Sequence, residues 1–188
     1  MTKKDLEMNL FHQEIKTNRL KLNKFSLEDA SIVCKILSDG EIANTTKNMP
    51  YPYDESMATE WIAQHKARLN QGEALIWAIR LAQSEQLIGC IELKITTQHH
   101  HAELGFWVAK DYWGQGYCTE AATYVTRFAF DKIGLNKIFA CHMTRNPGSG
   151  RVMQKIGMQH EGSFKRHFLK GKQFEDFEFY GLLTEQNK

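Results

Sequence analysis

Prolines, cysteines and long apolar runs are all scarce in this sequence of 188 residues. It has 3 prolines and contains no linker, internal repeat or low-complexity segment, so a single folded domain is expected at this length. A membrane-spanning helix needs about 20 consecutive apolar residues, and the mean hydropathy of -0.48 fits their absence. The N-terminus carries early lysines but lacks the apolar segment and cleavage site of a signal peptide. We therefore predict a soluble, cytoplasmic protein.

The four cysteines are widely spaced, at Cys34, Cys90, Cys118 and Cys141. They lie in segments predicted as helix or strand, which indicates neither a disulfide framework nor a zinc site. The formal net charge of +2 is too small to imply binding to nucleic acid. Neither a metal nor a direct contact with nucleic acid is expected.

One short run is more basic than the rest of the chain and consists of Lys165, Arg166, His167, Lys170 and Lys172. Two interpretations are open. The solvated tip of a hairpin is favoured over a patch that contacts RNA, a ribosome or an acidic substrate.

Three adjacent histidines occupy residues 99–101. Successive side chains of a strand point to opposite faces, so the three imidazoles cannot converge on one ion. A loop is therefore favoured over a metal site.

The chain is predicted to be one domain over residues 1–188, with a core over 17–183. An N-terminal extension over 1–16 either forms a short docking helix or stays loose. Alternation and helical spacing of apolar residues predict the elements in order. They are a strand at 19–25, helices at 26–40 and 55–70, strands at 75–81, 87–95 and 102–108, a helix at 116–133, a strand at 137–142, a helix at 146–157, and strands at 158–168 and 174–183.

The stretch from Ala102 to Ala122 joins an apolar strand, a glycine-rich turn and the start of a helix. The first turn of a helix has N–H groups without intrahelical partners and a partial positive charge. Gly114 and Gly116 allow a phosphate to approach those amides because no Cβ is in the way. The junction therefore predicts an anion site, although a lone pair of glycines is also compatible with a simple turn.

Two familiar nucleotide motifs fit this junction poorly. A Walker loop needs Lys and then Ser or Thr after the last glycine, where Tyr117 and Cys118 stand. A dinucleotide fingerprint needs a small residue at Thr119 and an acidic residue about 20 positions later. Asn136 and Lys137 occupy that later position.

A more specific pattern comes from the residues around the glycines, which read Glu-Leu-Gly-Phe-Trp-Val and then Tyr-Trp-Gly-Gln-Gly-Tyr-Cys-Thr-Glu-Ala. A second block, from Asn146 to Gly157, reads Asn-x-x-Ser-x-Arg-Val-x-x-Lys-x-Gly. Together the blocks resemble those of the GNAT N-acetyltransferases, and specifically the branch of the ribosomal-protein N-acetyltransferases RimJ and RimL. The resemblance extends from about Thr17 to Leu183.

This resemblance implies the α/β (α+β) GNAT fold, whose mixed and mostly antiparallel sheet has about seven strands with helices on both faces. Two central strands would splay to hold acetyl-CoA. The backbone of Trp107 and Val108 and the side chain of Asn146 would contact the pantetheine, and the amides from Gly114 to Thr119 would hold the pyrophosphate. The implied cofactor-binding residues are Trp107, Val108, Trp113, Gly114, Gln115, Gly116, Tyr117, Cys118, Thr119, Asn146 and Ser149.

Two residues depart from the general GNAT motif. Trp113 stands where Gln or Arg is usual, and it is shared with the RimJ/RimL branch. Cys118 replaces a Gly or Ala. A helix-start thiol can have a lowered pKa, but a packing role is favoured for Cys118.

Acetyl transfer to an amine needs a base for the amine, a donor for the oxyanion and an acid for the thiolate. The resemblance implies Glu103 as the base, Val108 N–H as the oxyanion donor and Ser149 as the acid. A structural carboxylate is an equally weighted interpretation of Glu103. Ser149 can instead act as a first-turn serine that bonds only backbone.

The resemblance places the acceptor between the loop at 49–53 and the hairpin at 168–174, although aromatics there can equally be core or dimer contacts. The leading hypothesis is an acetyl-CoA-dependent N-acetyltransferase acting on the N-terminal α-amine of a protein or peptide. Acetylation of a small amine, such as a polyamine, an aminoglycoside or a toxic conjugate, is a second hypothesis. A non-catalytic acyl-CoA-binding regulator is a third. A homodimer is compatible with each.

Overall fold

The computed structural model describes residues 14–187, in which an eight-stranded sheet is flanked by five α-helices. In chain order the elements are β1 (Ile15–Lys16), β2 (Leu20–Asn23), α1 (Ala30–Leu37), α2 (Glu41–Thr45), α3 (Glu55–Asn70), β3 (Ala74–Leu81), β4 (Leu87–Thr96), β5 (His101–Val108), α4 (Tyr117–Phe128), β6 (Lys137–Met143), α5 (Pro147–Lys155), β7 (Gln159–Lys170) and β8 (Gln173–Leu183).

The sheet has the order β1-β2-β3-β4-β5-β6-β8-β7 and is antiparallel except where β5 meets β6. This confirms the expected mixed, mostly antiparallel sheet, with one strand more than the approximate count. Part of the predicted N-terminal extension lies outside the described residues. Its last two residues form β1, which pairs with β2, so this end of the extension is a strand rather than a helix or a loose segment.

The helices cover both faces of the sheet and create two apolar layers. One layer contains Ala121, Val125 and Met153 of α4 and α5, packed on Ile91 and Leu104 of the sheet. The other layer places α1 and α3 on the opposite face. Strands β3 and β4 are therefore largely buried on both faces, which explains why they are nearly continuous apolar runs.

Helix boundaries follow local signals in the sequence. The side chain of Asp54 accepts a hydrogen bond from Met57 N and caps α3. Asn146 and Pro147 begin α5 as cap and first helical residue. Helix α4 continues into a π-helical turn, Ala129–Ile133, and Gly134 ends it in the left-handed region with φ 72°.

The central strands β5 and β6 are paired only at their beginnings. Parallel pairing runs from His101 with Lys137 to Glu103 with Phe139 and then stops, although β5 continues to Val108. The expected splay is confirmed, and it opens a cleft at the centre of the sheet. The register between β4 and β5 is regular across Gly105. A register shift occurs instead in the pairing of β3 with β4, between Ile79 and Arg80.

None of the helices in residues 14–187 combines the length and the apolar character of a membrane span. Over the same residues, no cluster of three or more His, Cys, Asp or Glu side chains is arranged to hold a metal ion. The histidine run begins in a 3-10 turn, Thr97–His99, and His101 starts β5.

Candidate active site

A cavity of about 660 Å³ occupies the cleft between β5 and β6. It is bounded by the first turns of α4 and α5 and by the segment between α2 and α3. Most of the residues singled out from the sequence line it: Glu103, Trp107, Val108, Trp113, Gly114, Gly116, Tyr117, Cys118, Thr119, Asn146 and Ser149. Gln115 is not among the lining residues; its side chain instead donates to the carbonyl of Asp111 at 2.8 Å.

The glycine loop leaves the first turn of α4 uncapped. Gly114 and Gly116 have φ of 74° and 82°, which side chains rarely adopt. Gly116 is the N-cap and supplies no side-chain acceptor. The first backbone bond onto this cap comes from Glu120 N to Gly116 O, at 3.0 Å. The preceding amides of the turn therefore have no intrahelical partner and face a cavity suited to an anion.

The outer side of the same loop is braced by Arg19, which sequence reasoning missed. The Arg19 guanidinium donates to Glu120 Oε2 at 2.6 Å and to the carbonyl of Gln115 at 3.0 Å. It also lies 4.4 Å from the centre of the Tyr117 ring. Burial opposes ionisation of Glu120, but hydrogen bonds from Thr17 and Arg19 outweigh it, and the pKa of Glu120 is lowered. This ion pair fixes the start of α4 from the side away from the cavity.

Trp113 connects the glycine loop to the end of β5. Its indole N–H donates to the carbonyl of Val108 at 2.8 Å. Trp113, which departs from the general motif, therefore links the end of β5 to the glycine loop through a hydrogen bond.

The backbone that faces the cleft is that of Val108 rather than that of Trp107. Ala109 N donates to Ile88 O of β4 at 2.8 Å, and Trp107 is paired with Cys90 on the same strand. Backbone groups of successive residues alternate between the two sides of a strand. Val108 N–H is thus directed towards β6, where strand pairing has ended. Trp107 contributes its side chain to the cavity, and the structure favours Val108 for a backbone contact with a ligand.

Glu103 forms an ion pair inside the cavity with Lys47, a partner that the sequence did not indicate. Lys47 lies between α2 and α3, 56 residues before Glu103. The thiol of Cys141 on β6 is 3.8 Å from Glu103 Oε1. A carboxylate, an ammonium and a thiol therefore meet where β5 and β6 separate.

The charges of this cluster stabilise one another. Burial lowers the pKa of Lys47, but the hydrogen bond to Glu103 and the charge of the neighbouring groups outweigh it and raise the pKa overall. Burial also raises the pKa of the Cys141 thiol. At neutral pH Lys47 is therefore an ammonium and Cys141 a neutral thiol.

The start of α5 places Ser149 on the cavity wall. Asn146 Oδ1 accepts from Ser149 N at 3.4 Å, and Asn146 Nδ2 donates to Thr45 O at 3.3 Å. The cap thus uses the backbone of Ser149, and among the described residues the hydroxyl group of Ser149 has no hydrogen-bond partner. One of the two Nδ2 hydrogens of Asn146 is committed to α2, and the Ser149 hydroxyl is a further side-chain donor on the cavity wall.

His142 and Gly150 fit α5 closely against β6. His142 Nδ1 donates to the carbonyl of Met143 at 2.9 Å, and its buried Nε2 has no partner among the described residues. A Cβ at Gly150 would lie 2.6 Å from that Nε2. Glycine is therefore required for the first turn of α5 to approach the cleft.

The segment that contains Met49 and Tyr53 lines the cavity, as expected, but the hairpin at 168–174 does not. The hairpin instead holds the segment from outside, because Lys170 Nζ donates to the carbonyl of Thr46 at 2.8 Å.

Cys118 packs against the apolar core, and burial raises the pKa of its thiol to about 12. The possibility of a lowered pKa is therefore wrong.

The thiolate is the reactive form of cysteine, so we expect Cys118 to resist alkylation by iodoacetamide at pH 8. Peptide mapping after alkylation measures this, with Cys34 as an internal comparison. Rapid modification of Cys118 would contradict the packing that we describe.

Comparisons with known proteins agree with this arrangement. A family model described as acetyltransferase (GNAT) domain matches residues 19–159. The Bacillus subtilis (strain 168) protein named uncharacterized N-acetyltransferase YnaD is 32% identical over 173 residues, which cover 92% of this chain and 98% of that protein. The putative ribosomal N-acetyltransferase YdaF of the same organism is 30% identical over 135 residues, 71% of this chain and 70% of that protein.

A solved structure of RimL, a ribosomal L7/L12 α-N-protein acetyltransferase in complex with coenzyme A, matches with a TM-score of 0.83. The match has 14% identity and covers 91% of this chain and 98% of the other, so it shows the shared fold. The family model, in contrast, spans most of the sequence, and both motif blocks meet at one cavity. This chain therefore belongs to the GNAT acetyltransferases, which use acetyl-CoA, and within them to the RimJ/RimL-like branch.

Proposed function

We propose that this acetyltransferase transfers the acetyl group to a primary amine, namely the N-terminal α-amine of a protein or peptide. The observation that carries the proposal is Glu103, a carboxylate that already holds an ammonium group inside the cavity, at the point where β5 and β6 separate. The relative named as a putative ribosomal N-acetyltransferase supports the same class of acceptor. An α-amine, with an ordinary pKa of about 8, loses its proton more easily at neutral pH than a lysine amine at about 10.4.

The residues of the cleft fit the thioester cosubstrate. The uncapped first turn of α4 offers amides to its phosphates, since the glycines leave their approach open. The end of β5 offers Val108 N–H on the side where β6 has turned away. When bound, acetyl-CoA supplies an activated acetyl group on sulfur.

In the proposed reaction the amine nitrogen forms a bond to the acetyl carbon, and the bond from that carbon to sulfur breaks. Glu103 accepts the proton that the amine loses, directly or through water, after its ion pair with Lys47 opens. Val108 N–H donates to the oxygen that becomes negative during the attack. The Ser149 hydroxyl protonates the departing thiolate. Glu103 then releases its proton to bulk water, and bulk water reprotonates Ser149.

Replacing Ser149 by Ala is expected to slow turnover by about 10- to 100-fold, at or below the usual contribution of a general acid because water can substitute. Helix α5 should stay intact, since its cap uses the backbone N–H of Ser149. Steady-state kinetics with a peptide acceptor measure the effect. Ser149→Thr retains a hydroxyl and is expected to keep most of the rate. A wild-type rate for Ser149→Ala would assign Ser149 to a structural role.

The acceptor class is tested with release of free thiol from acetyl-CoA in the presence of N-terminal peptides, polyamines and aminoglycosides. Turnover with peptides that is lost when their α-amine is blocked supports the proposal. Turnover confined to polyamines or aminoglycosides would replace it with acetylation of a small molecule. Tight CoA binding without turnover on any of these acceptors would favour a binding module.

A further inference from the structure

The proposed reaction assigns no role to Lys47. Its ammonium forms an ion pair with Glu103, the carboxylate that this reaction needs as its base. Its side chain is 29% exposed and that of Glu103 is 22% exposed, so both charges are partly removed from water. The backbone that carries Lys47 is held in place, since Lys170 Nζ contacts the carbonyl of Thr46 at 2.8 Å and that of Lys47 at 3.4 Å. The ammonium is therefore presented to the cavity by an anchored segment.

The other cations near Glu103 are differently placed. Lys94 lies opposite Glu103 in the backbone register of β4 and β5. Its side chain, however, forms an ion pair with Glu92, at 3.3 Å from Oε1. Arg68 of α3 lies 3.7 Å from Glu92 Oε2. Glu92 thus has two cationic neighbours, whereas Lys47 is paired with Glu103 itself.

An acceptor amine that takes the place of Lys47 on Glu103 leaves the Lys47 ammonium without its counter-charge. Separating one member of a partly buried ion pair is costly unless the released charge finds a new partner. An acceptor that carries a carboxylate close to its amine provides both charges: its amine pairs with Glu103 and its carboxylate pairs with Lys47. The Lys47–Glu103 pair is in this sense complementary to a zwitterion.

We propose that Lys47 is a specificity-determining residue that selects N-termini with an Asp or Glu side chain at the first or second position. The inference rests on the proposed function and narrows its acceptor. An acceptor with a neutral side chain lacks a partner for Lys47 and binds more weakly.

The test compares two peptides that differ only in a Glu or a Gln at the second position. Thiol release gives kcat and KM for each peptide with wild type, Lys47→Met, Lys47→Arg and Lys110→Met. Lys110 is the matched control, since it forms an ion pair with Glu41 of α2 at 2.6 Å but does not line the cavity. The ratio of kcat/KM for the Glu peptide to that for the Gln peptide is the measured quantity, because it cancels a general loss of activity or folding.

For wild type we expect kcat/KM to be about 10-fold higher for the Glu peptide than for the Gln peptide, in the range of a well-formed pair of charges. The difference should come from a lower KM for the Glu peptide. Lys47→Met should reduce the ratio to about 1, while Lys47→Arg and Lys110→Met should retain it. Turnover of both peptides at equal efficiency by wild type, or a ratio that Lys47→Met leaves unchanged, would overturn the inference alone. Absence of turnover with all peptides, with CoA binding intact, would overturn the proposed function and the inference with it.

Discussion

Replacing Glu103 by Gln lowers turnover by about 100- to 1,000-fold, in the range of a lost general base, and leaves the affinity for CoA nearly unchanged. The amide keeps the size of the side chain but cannot accept a proton from the amine. Glu103 lies near the start of β5, whereas the uncapped turn of α4 follows the end of that strand, so binding of the phosphates does not depend on Glu103. Thiol-release kinetics and calorimetric titration with CoA measure the two quantities separately.

Glu92 provides the matched control for this substitution. It is a second carboxylate that lines the cavity, on the neighbouring strand β4, and its partners are Arg68 and Lys94. Glu92→Gln is expected to retain turnover within a few-fold, because this carboxylate does not hold the acceptor amine in our account. Equal rates for wild type and Glu103→Gln would assign Glu103 to a structural ion pair with Lys47.

Replacing Gly89 by Ala is expected to weaken CoA binding by at least about tenfold and to destabilise the fold by about 1–3 kcal/mol, as overpacking does. A Cβ at this position would lie 2.3 Å from the carbonyl oxygen of Trp107 and 2.9 Å from Cα of Val108. These are backbone atoms, so the end of β5 must move. That movement displaces the backbone of Val108, which contacts the pantetheine of CoA in our proposal.

Gly162→Ala is the control for the effect of losing a strand glycine. Its Cβ would meet Phe164 Cε2 at 3.4 Å, which is ordinary contact on β7 far from the cleft. Calorimetry with CoA and thermal unfolding should show both effects for Gly89→Ala and neither for Gly162→Ala. Wild-type CoA affinity in Gly89→Ala would show that the position of the β5 terminus is not critical for the cosubstrate.

Elements with strong local signals could be predicted from the sequence. The bounds of α3 follow from its cap at Asp54 and its helical spacing, and Gly134 marks the end of the helical segment that begins with α4. Helix α2 has only five residues, Glu41–Thr45, too few to show a helical period. Strand β1 has two residues and depends on pairing with β2, so no local pattern could indicate it.

The lining of the site was largely predictable, but its ion pairs were not. Motif blocks identify Glu103 and Ser149 because their order along the chain is retained. Lys47 meets Glu103 across 56 residues, and Arg19 meets Glu120 across 101. Such pairs depend on how α2 and β2 pack against the sheet, and a lysine in a polar loop gives no sign of its partner. Glu103 was open to two interpretations, a structural carboxylate and a general base. The two are compatible, because the same carboxylate is both the ion-pair partner of Lys47 and the candidate base.

The most direct test of the central claim is thiol release from acetyl-CoA with an N-terminal peptide as acceptor, measured alongside calorimetric binding of CoA. We predict CoA binding, turnover that requires a free α-amine, and a mass gain of one acetyl group on that amine. CoA binding with no transfer to peptides, polyamines or aminoglycosides would contradict the claim that this cleft catalyses acetylation of an amine.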